Sequence, residues 1–208
     1  MKFIGDVHGL YRQYERLIKE NPDTIQVGDM GIGFRRWPHG EWQANPPYDV
    51  MVKQNAWFIR GNHDNPHVCR NHSRWIKDGH ILTTKKDTKI MFIGGASSID
   101  WKYRIEDYSW WPEEELSIEE MNGLQSVYEI ERPDVMVTHD CPLDVIPYIH
   151  SHHFRDNSRT QQFFNGLLAM EHKPKLWIFG HHHKSFDMTI LGCRFVCLAE
   201  LEMKEFDI

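Results

Sequence analysis

Lys2-Phe3-Ile4-Gly5-Asp6-Val7-His8-Gly9-Leu10 decides how the rest of the chain is read. Three residues suited to a buried strand run into a glycine-bracketed turn that carries a carboxylate and an imidazole. Alternation along extended backbone points Asp6 and His8 to one side, where they can share an ion. Beyond the turn, Leu10, Tyr14, Leu17 and Ile18 recur at helical spacing and predict an amphipathic helix.

The same strand, ligand-bearing turn and helix recur outward from this segment. Apolar runs at Thr24–Val27, Trp57–Ile59, Ile90–Ile93, Val135–Thr138, Leu176–Phe179 and Phe195–Leu198 read as further strands. Ile118, Met121, Leu124 and Tyr128 share one helical face behind a Ser117/Glu120 capping box. Ser158/Gln161 has the same spacing ahead of Phe163, Phe164, Leu167 and Leu168. Asp187–Ile190 and Arg194–Leu198, joined at Leu191-Gly192, predict a hairpin. Strands alternating with helices make the class α/β. Gly31–Asp49 and Ser97–Pro112 follow no period, and loops of that length often carry function.

Five of the strands end in metal-ligand residue types. Asp6 and His8 follow the first and Gly28-Asp29 the second. Gly61-Asn62-His63-Asp64, His139-Asp140 and Gly180-His181-His182-His183 follow the strands at 57, 135 and 176. Carboxyl ends of strands in an α/β sheet share a rim, so the five motifs can converge on one site. Turns favour Asp and Asn but do not favour histidine, and 14 histidines in 208 residues is the unusual feature of the composition.

Length and composition set the frame. With 208 residues, 40% hydrophobic and 26% charged, the chain reads as one globular domain over residues 1–208. A net charge of −6 argues against a long nucleic-acid track, and two bound divalent cations would offset most of it. Nothing approaches the roughly 18–20 apolar residues of a membrane span, and Asp6 and His8 arrive before any signal-type run. Cys69, Cys141, Cys193 and Cys197 form no Cys-x-x-Cys pair and read as free thiols, so the expected compartment is the cytoplasm.

The ordered set Asp-x-His, Gly-Asp, Gly-Asn-His-Asp, His and Gly-His-x-His, spanning Asp6 to His183, resembles the calcineurin-like metallophosphoesterase superfamily. The resemblance implies a four-layer αββα sandwich of the metallo-dependent phosphatase type. It also implies that Asp6, His8 and His183 hold one divalent ion, that Asn62, His139 and His181 hold a second, and that Asp29 bridges them. Manganese is the first choice of metal, with iron or zinc as alternatives, since Asp, Asn and His suit all three. A hydroxide held between such ions would attack a small phosphate ester, monoester or diester, with His63 as general acid and Asp64 orienting it. His182, between two ligands, should point away from the ions. His150, His152 and His153 read as a solvated loop.

The chain departs from the Ser/Thr protein phosphatases of that superfamily at one point. They carry Gly-Asp-x-Val-Asp-Arg-Gly, whereas this chain has Gly28-Asp29-Met30-Gly31-Ile32-Gly33-Phe34 and lacks the phosphate-gripping arginine. Arg104, Arg60, Arg35 and Arg36 are the candidates to replace it, Arg104 first because two glycines and a loop precede it. A phosphoprotein phosphatase, a non-catalytic scaffold on the same fold and a metal hydrolase of another bond stay open as alternatives. Trp101, Tyr103, Trp110 and Trp111 are candidates to stack on a nucleobase or to pack beneath the loop.

Overall fold

The computed structural model describes residues 1–34, 45–150 and 158–208. In chain order its elements are β1 (Lys2–Ile4), α1 (Tyr11–Glu20), β2 (Thr24–Gln26), α2 (Tyr48–Lys53), β3 (Trp57–Phe58), α3 (Pro66–Cys69), β4 (Ile81–Thr83), β5 (Lys89–Ile93), α4 (Ile118–Glu131) and β6 (Val135–Thr138). Then follow α5 (Ile146–Ile149), α6 (Arg159–Ala169), β7 (Leu176–Phe179), β8 (Phe186–Ile190), β9 (Cys193–Cys197) and β10 (Met203–Glu205).

Two sheets form, in the orders β10-β1-β2-β3 and β4-β5-β6-β7-β9-β8. The strands β1, β2 and β3 run parallel, as do β5, β6, β7 and β9, while β10, β4 and β8 are antiparallel edges. Parallel strands place all their carboxyl ends on one rim, which is why the five motifs can meet.

Alternation along each strand sorts the core into three layers. Phe3, Ile25, Val27 and Ile59 of the first sheet face Ile90, Phe92, Val135, Val137, Ile178 and Val196 of the second. On the outer side of the small sheet, Ile4 and Phe58 pack on Tyr14 and Ile18 of α1 and Met51 of α2. On the outer side of the large sheet, Met91, Met136, Trp177, Phe179 and Phe195 pack on Leu124 and Tyr128 of α4 and Phe164, Leu167 and Leu168 of α6. Each fully buried side chain of this size contributes about 1.5–3 kcal/mol. The result is the αββα sandwich that the resemblance implies.

Local chemistry explains most boundaries. Both bonds of the Ser117/Glu120 capping box form, and Arg132 ends α4 in the left-handed conformation at φ 49°. The hairpin of β8 and β9 turns at Leu191 and Gly192, both at positive φ. Sequence periodicity misjudged Ile118, which sits in the first turn of α4 and is 63% exposed. It also gave no signal for β4 or β10, three-residue edges whose partners lie far along the chain. Ser97–Pro112 folds as tight turns over its own aromatics. Trp111 is buried, and Trp101 stacks on Trp110 at 5.5 Å while Tyr103 is exposed.

Candidate metal centre

The rim is built by backbone contacts between neighbouring turns. The N–H groups of Val7 and His8 donate to Asp29 O at 3.0 and 2.8 Å, and Gly9 N–H donates to Met30 O, locking the turn after β1 against the turn after β2. Four candidate ligands, His8, Asp29, His181 and His183, adopt positive φ between 48° and 64°. Non-glycine residues rarely do so, and such strain concentrates at functional sites. Gly28, at φ +104°, lies where an added Cβ would strike the ring of His139, so only glycine lets that imidazole approach.

Seven side chains converge on this rim in two groups. In the first, His8 Nε2 lies 3.6 Å from Asp6 Oδ2 and 3.6 Å from Asp29 Oδ2. His183 Nε2 is 2.8 Å from His8 Nε2 and 3.1 Å from Asp6 Oδ2. In the second, Asn62 Oδ1 lies 3.1 Å from both His139 Nε2 and His181 Nδ1, and His139 Nε2 is 3.2 Å from Asp29 Oδ1. Asp29 belongs to both, turning one oxygen to each.

Burial and charge act together here. Asp6 and Asp29 are buried, which raises a carboxyl pKa, yet the surrounding histidines outweigh this and hold both well below the usual range. Burial lowers the His139 pKa, but Asp29, Asp6 and the Val27 carbonyl hold it up at about 10. His139 Nδ1 donates to Val27 O at 2.9 Å, so Nε2 is the nitrogen left for the centre. His181 is pushed down to about 4 by burial. Oxygen and imidazole donors converging with two anions among them fit divalent cations of the borderline to hard type, which supply the missing positive charge.

A cleft of about 420 Å³ opens over the rim, lined by Asp29, Asn62, His63, Ser97, Ser98, Asp100, Arg104, Ile146, His150, Gln161 and the three histidines 181–183. Arg104 reaches into it. Its Nη2 donates to His63 Nε2 at 2.9 Å, its Nε pairs with Asp100 at 2.7 Å, and its guanidinium lies over the Phe34 ring. Phe34 also stacks on His63, with centroids 4.8 Å apart.

Two other expected residues turn inward. Arg60 is 3% exposed, pairs with Asp78 at 3.0 Å and donates to the carbonyls of Glu113 and Glu114, so its guanidinium is fully engaged away from the cleft. Asp64 does not orient the His63 ring. Its oxygens accept the N–H groups of Met30, Gly31, Ile32 and Gly61, tying the second and third turns together. Arg35, Arg36, His152 and His153 lie outside the described residues.

Sequence reading passed over the opposite wall of the cleft. His182 does point away from the seven side chains, and its Nε2 meets buried Asp140 at 3.0 Å. Asp140 also accepts from Gln161 Nε2 at 2.8 Å, and His150 Nε2 lies 3.1 Å from His182 Nδ1. His150 is thus part of the cleft rather than of a solvated loop. The immediate succession His139-Asp140 after a strand was the signal available. Ser98 and Glu114, buried beside Asn62, had none.

The model of the calcineurin-like phosphoesterases matches residues 2–185. No curated protein matches. Similar solved structures include the phosphopantetheinyl hydrolase PptH of Mycobacterium tuberculosis, at 14% identity and TM-score 0.55, covering 96% of this chain and 89% of that one. A candidate 5′-nucleotidase of Staphylococcus aureus shows 10% identity and TM-score 0.54, covering 96% of this chain and 48% of that one. GAP50, the anchor in the inner membrane complex of Plasmodium, shows 14% identity and TM-score 0.53, with 96% and 71% covered. At these identities the likeness is one of fold. Among the described residues no helix is long and apolar enough to cross a membrane. The match along 2–185, on a rim whose acidic and imidazole groups call for cations, establishes that the chain belongs to the calcineurin-like phosphoesterases and is a metal-dependent phosphoesterase.

Proposed function

We propose that the chain hydrolyses a small phosphate ester at a dinuclear centre, with Asp6, His8, Asp29 and His183 holding one ion and Asp29, Asn62, His139 and His181 the other. The observation that carries this reading is Asp29, whose two oxygens face the two donor groups separately, at His8 and His139. Two divalent ions, manganese first among the candidates, supply Lewis acidity and a water activated near neutral pH.

The remaining work falls to the chain's own groups. Arg104 binds a phosphate oxygen in place of His63, since a guanidinium fork suits that geometry. His63, released at Nε2 and packed on Phe34, takes up a proton there from solvent and passes it to the leaving oxygen. A cleft of about 420 Å³, partly walled by Ser97–Asp100, favours a small substrate over a phosphoprotein. All seven ligand positions and His63 carry suitable side chains, which weighs against a non-catalytic scaffold. Four buried, unpaired thiols fit the cytoplasm as the compartment.

The test is hydrolysis of p-nitrophenyl phosphate and bis(p-nitrophenyl) phosphate by metal-stripped protein reloaded with manganese, beside Asp29→Asn. Turnover restored by manganese and crippled by the substitution supports the reading, and the faster ester assigns monoester or diester. Manganese binding without cleavage of either ester would count against it.

A further inference from the structure

Asn62 is a demanding ligand. Its amide has an oxygen that can hold a cation and a nitrogen whose two hydrogens repel one, so a half-turn about its last bond abolishes the site. Oδ1 faces His139 and His181, and Nδ2 points the other way, donating to Ser98 Oγ at 3.0 Å.

The bonds beyond Ser98 set this direction. Its hydroxyl donates to Glu114 Oε2 at 2.7 Å and its backbone N–H donates to Glu114 Oε1 at 2.6 Å. A hydroxyl has one hydrogen. With that hydrogen on the carboxylate, Ser98 offers Asn62 only lone pairs, which accept from Nδ2 and would repel Oδ1. Asn62, Ser98 and Glu114 are each 3% exposed or less, so bulk water offers no alternative partner.

Glu114 is itself held from the Asn62 side. Arg60, two residues before Asn62, donates through Nη1 to the carbonyls of Glu113 and Glu114 at 3.0 and 2.9 Å. Gly95, at φ +89°, lies where any Cβ would strike the Glu114 carbonyl, so the strand end packs directly on this bracket. The Trp110 indole completes the carboxylate's surroundings. The circuit from Arg60 through Glu114 and Ser98 returns to Asn62.

We propose that Ser98 and Glu114 are positioning residues that lock the Asn62 amide with its oxygen toward the second ion and so set the affinity of that ion alone. This rests on the reading of Asn62 as a ligand. Neither residue touches the first donor group, so its affinity should stay as in the wild type.

The experiment is a titration of the metal-free protein with manganese alone at pH 8, where Glu114 is a carboxylate, followed by calorimetry and electron paramagnetic resonance. The wild type should take up two ions and show a spin-coupled pair. Ser98→Ala should bind the first ion normally, weaken the second by roughly 10- to 100-fold and show isolated manganese at one equivalent. Ser98→Thr, which keeps the hydroxyl, should restore the pair. Glu114→Gln gives an independent variant should Ser98→Ala fold poorly, and the same selective loss is expected because the Ser98 proton is no longer claimed by a carboxylate. A wild-type pair left unchanged by Ser98→Ala or Glu114→Gln, or both ions weakened alike, overturns the proposal alone. A wild type that takes up no second ion overturns the underlying reading as well.

Discussion

Arg104 Nη2 lies 2.9 Å from His63 Nε2, and because a guanidinium has only hydrogens to offer, the imidazole accepts. His63 therefore holds its own proton on Nδ1 until Arg104 finds another partner. Burial pushes the ring down to about 4; Arg104, His8 and His139 add to this, and Asp29 opposes it. Removing the guanidinium should raise the His63 pKa from about 4 toward its ordinary 6.5, read by NMR titration of Arg104→Ala. The same variant should raise KM for a phosphate ester roughly 10- to 100-fold, from the 1.5–3 kcal/mol of a charged hydrogen bond. An unmoved KM would remove Arg104 from phosphate binding.

His63→Asn should lower kcat by about 10²- to 10⁴-fold while leaving manganese uptake intact. The loss should be smaller for p-nitrophenolate than for an alkoxide leaving group, which needs its proton more. Steady-state rates on both ester types decide this. An equal loss for both would point to a role other than proton delivery.

Uptake of ions should expel protons. His139 is held up at about 10 in the ion-free protein and is charged at neutral pH, yet a ligand must offer a lone pair. Manganese affinity should therefore rise with pH below that value, by up to about tenfold per pH unit for one displaced proton. Calorimetry in two buffers of different ionisation heat reads the released proton directly, and identical heats would contradict it.

Asp64→Asn should act on stability. Four backbone N–H groups depend on its carboxylate, and each one orphaned costs about 1–3 kcal/mol. Urea unfolding should show a loss of that order even in metal-free protein. Unchanged stability with a shifted pH profile of turnover would restore the orienting role implied by the sequence.

Glu114 gives a pH signature of opposite sign to most carboxylates. Burial raises it from its ordinary 4.5 to about 7, against the bonds from Ser98 and Trp110. The folded state therefore holds a proton that the unfolded chain releases between these values. The associated stability is full below pH 4.5 and is lost as pH rises through 7, with a total of about 3 kcal/mol. The difference in unfolding free energy between wild type and Glu114→Gln should move against the wild type across that window. A flat difference would show that the carboxyl titrates normally.

By itself the sequence determined the α/β alternation and eight of the ten strands, and its resemblance to the family picked out the seven side chains that meet on the rim. It could do so because parallel strands put every carboxyl end on one edge, and because turns favour Asp and Asn but not histidine, so histidines at strand ends stand out. The hairpin and the Ser117 cap were legible for a similar reason, since both are made by residues near one another in the chain. Tertiary structure alone decided the orientation of the charged groups. Arg60 and Arg104 are alike in sequence, yet one is drawn inward by Asp78 and two carbonyls while the other is held over Phe34 at the mouth of the cleft. Asp64 follows His63 directly, but its turn aims the carboxylate at backbone N–H groups some thirty residues earlier. The links from Asn62 to Ser98 and Glu114 join residues with no shared period or motif, and only folding brings them within hydrogen-bonding distance.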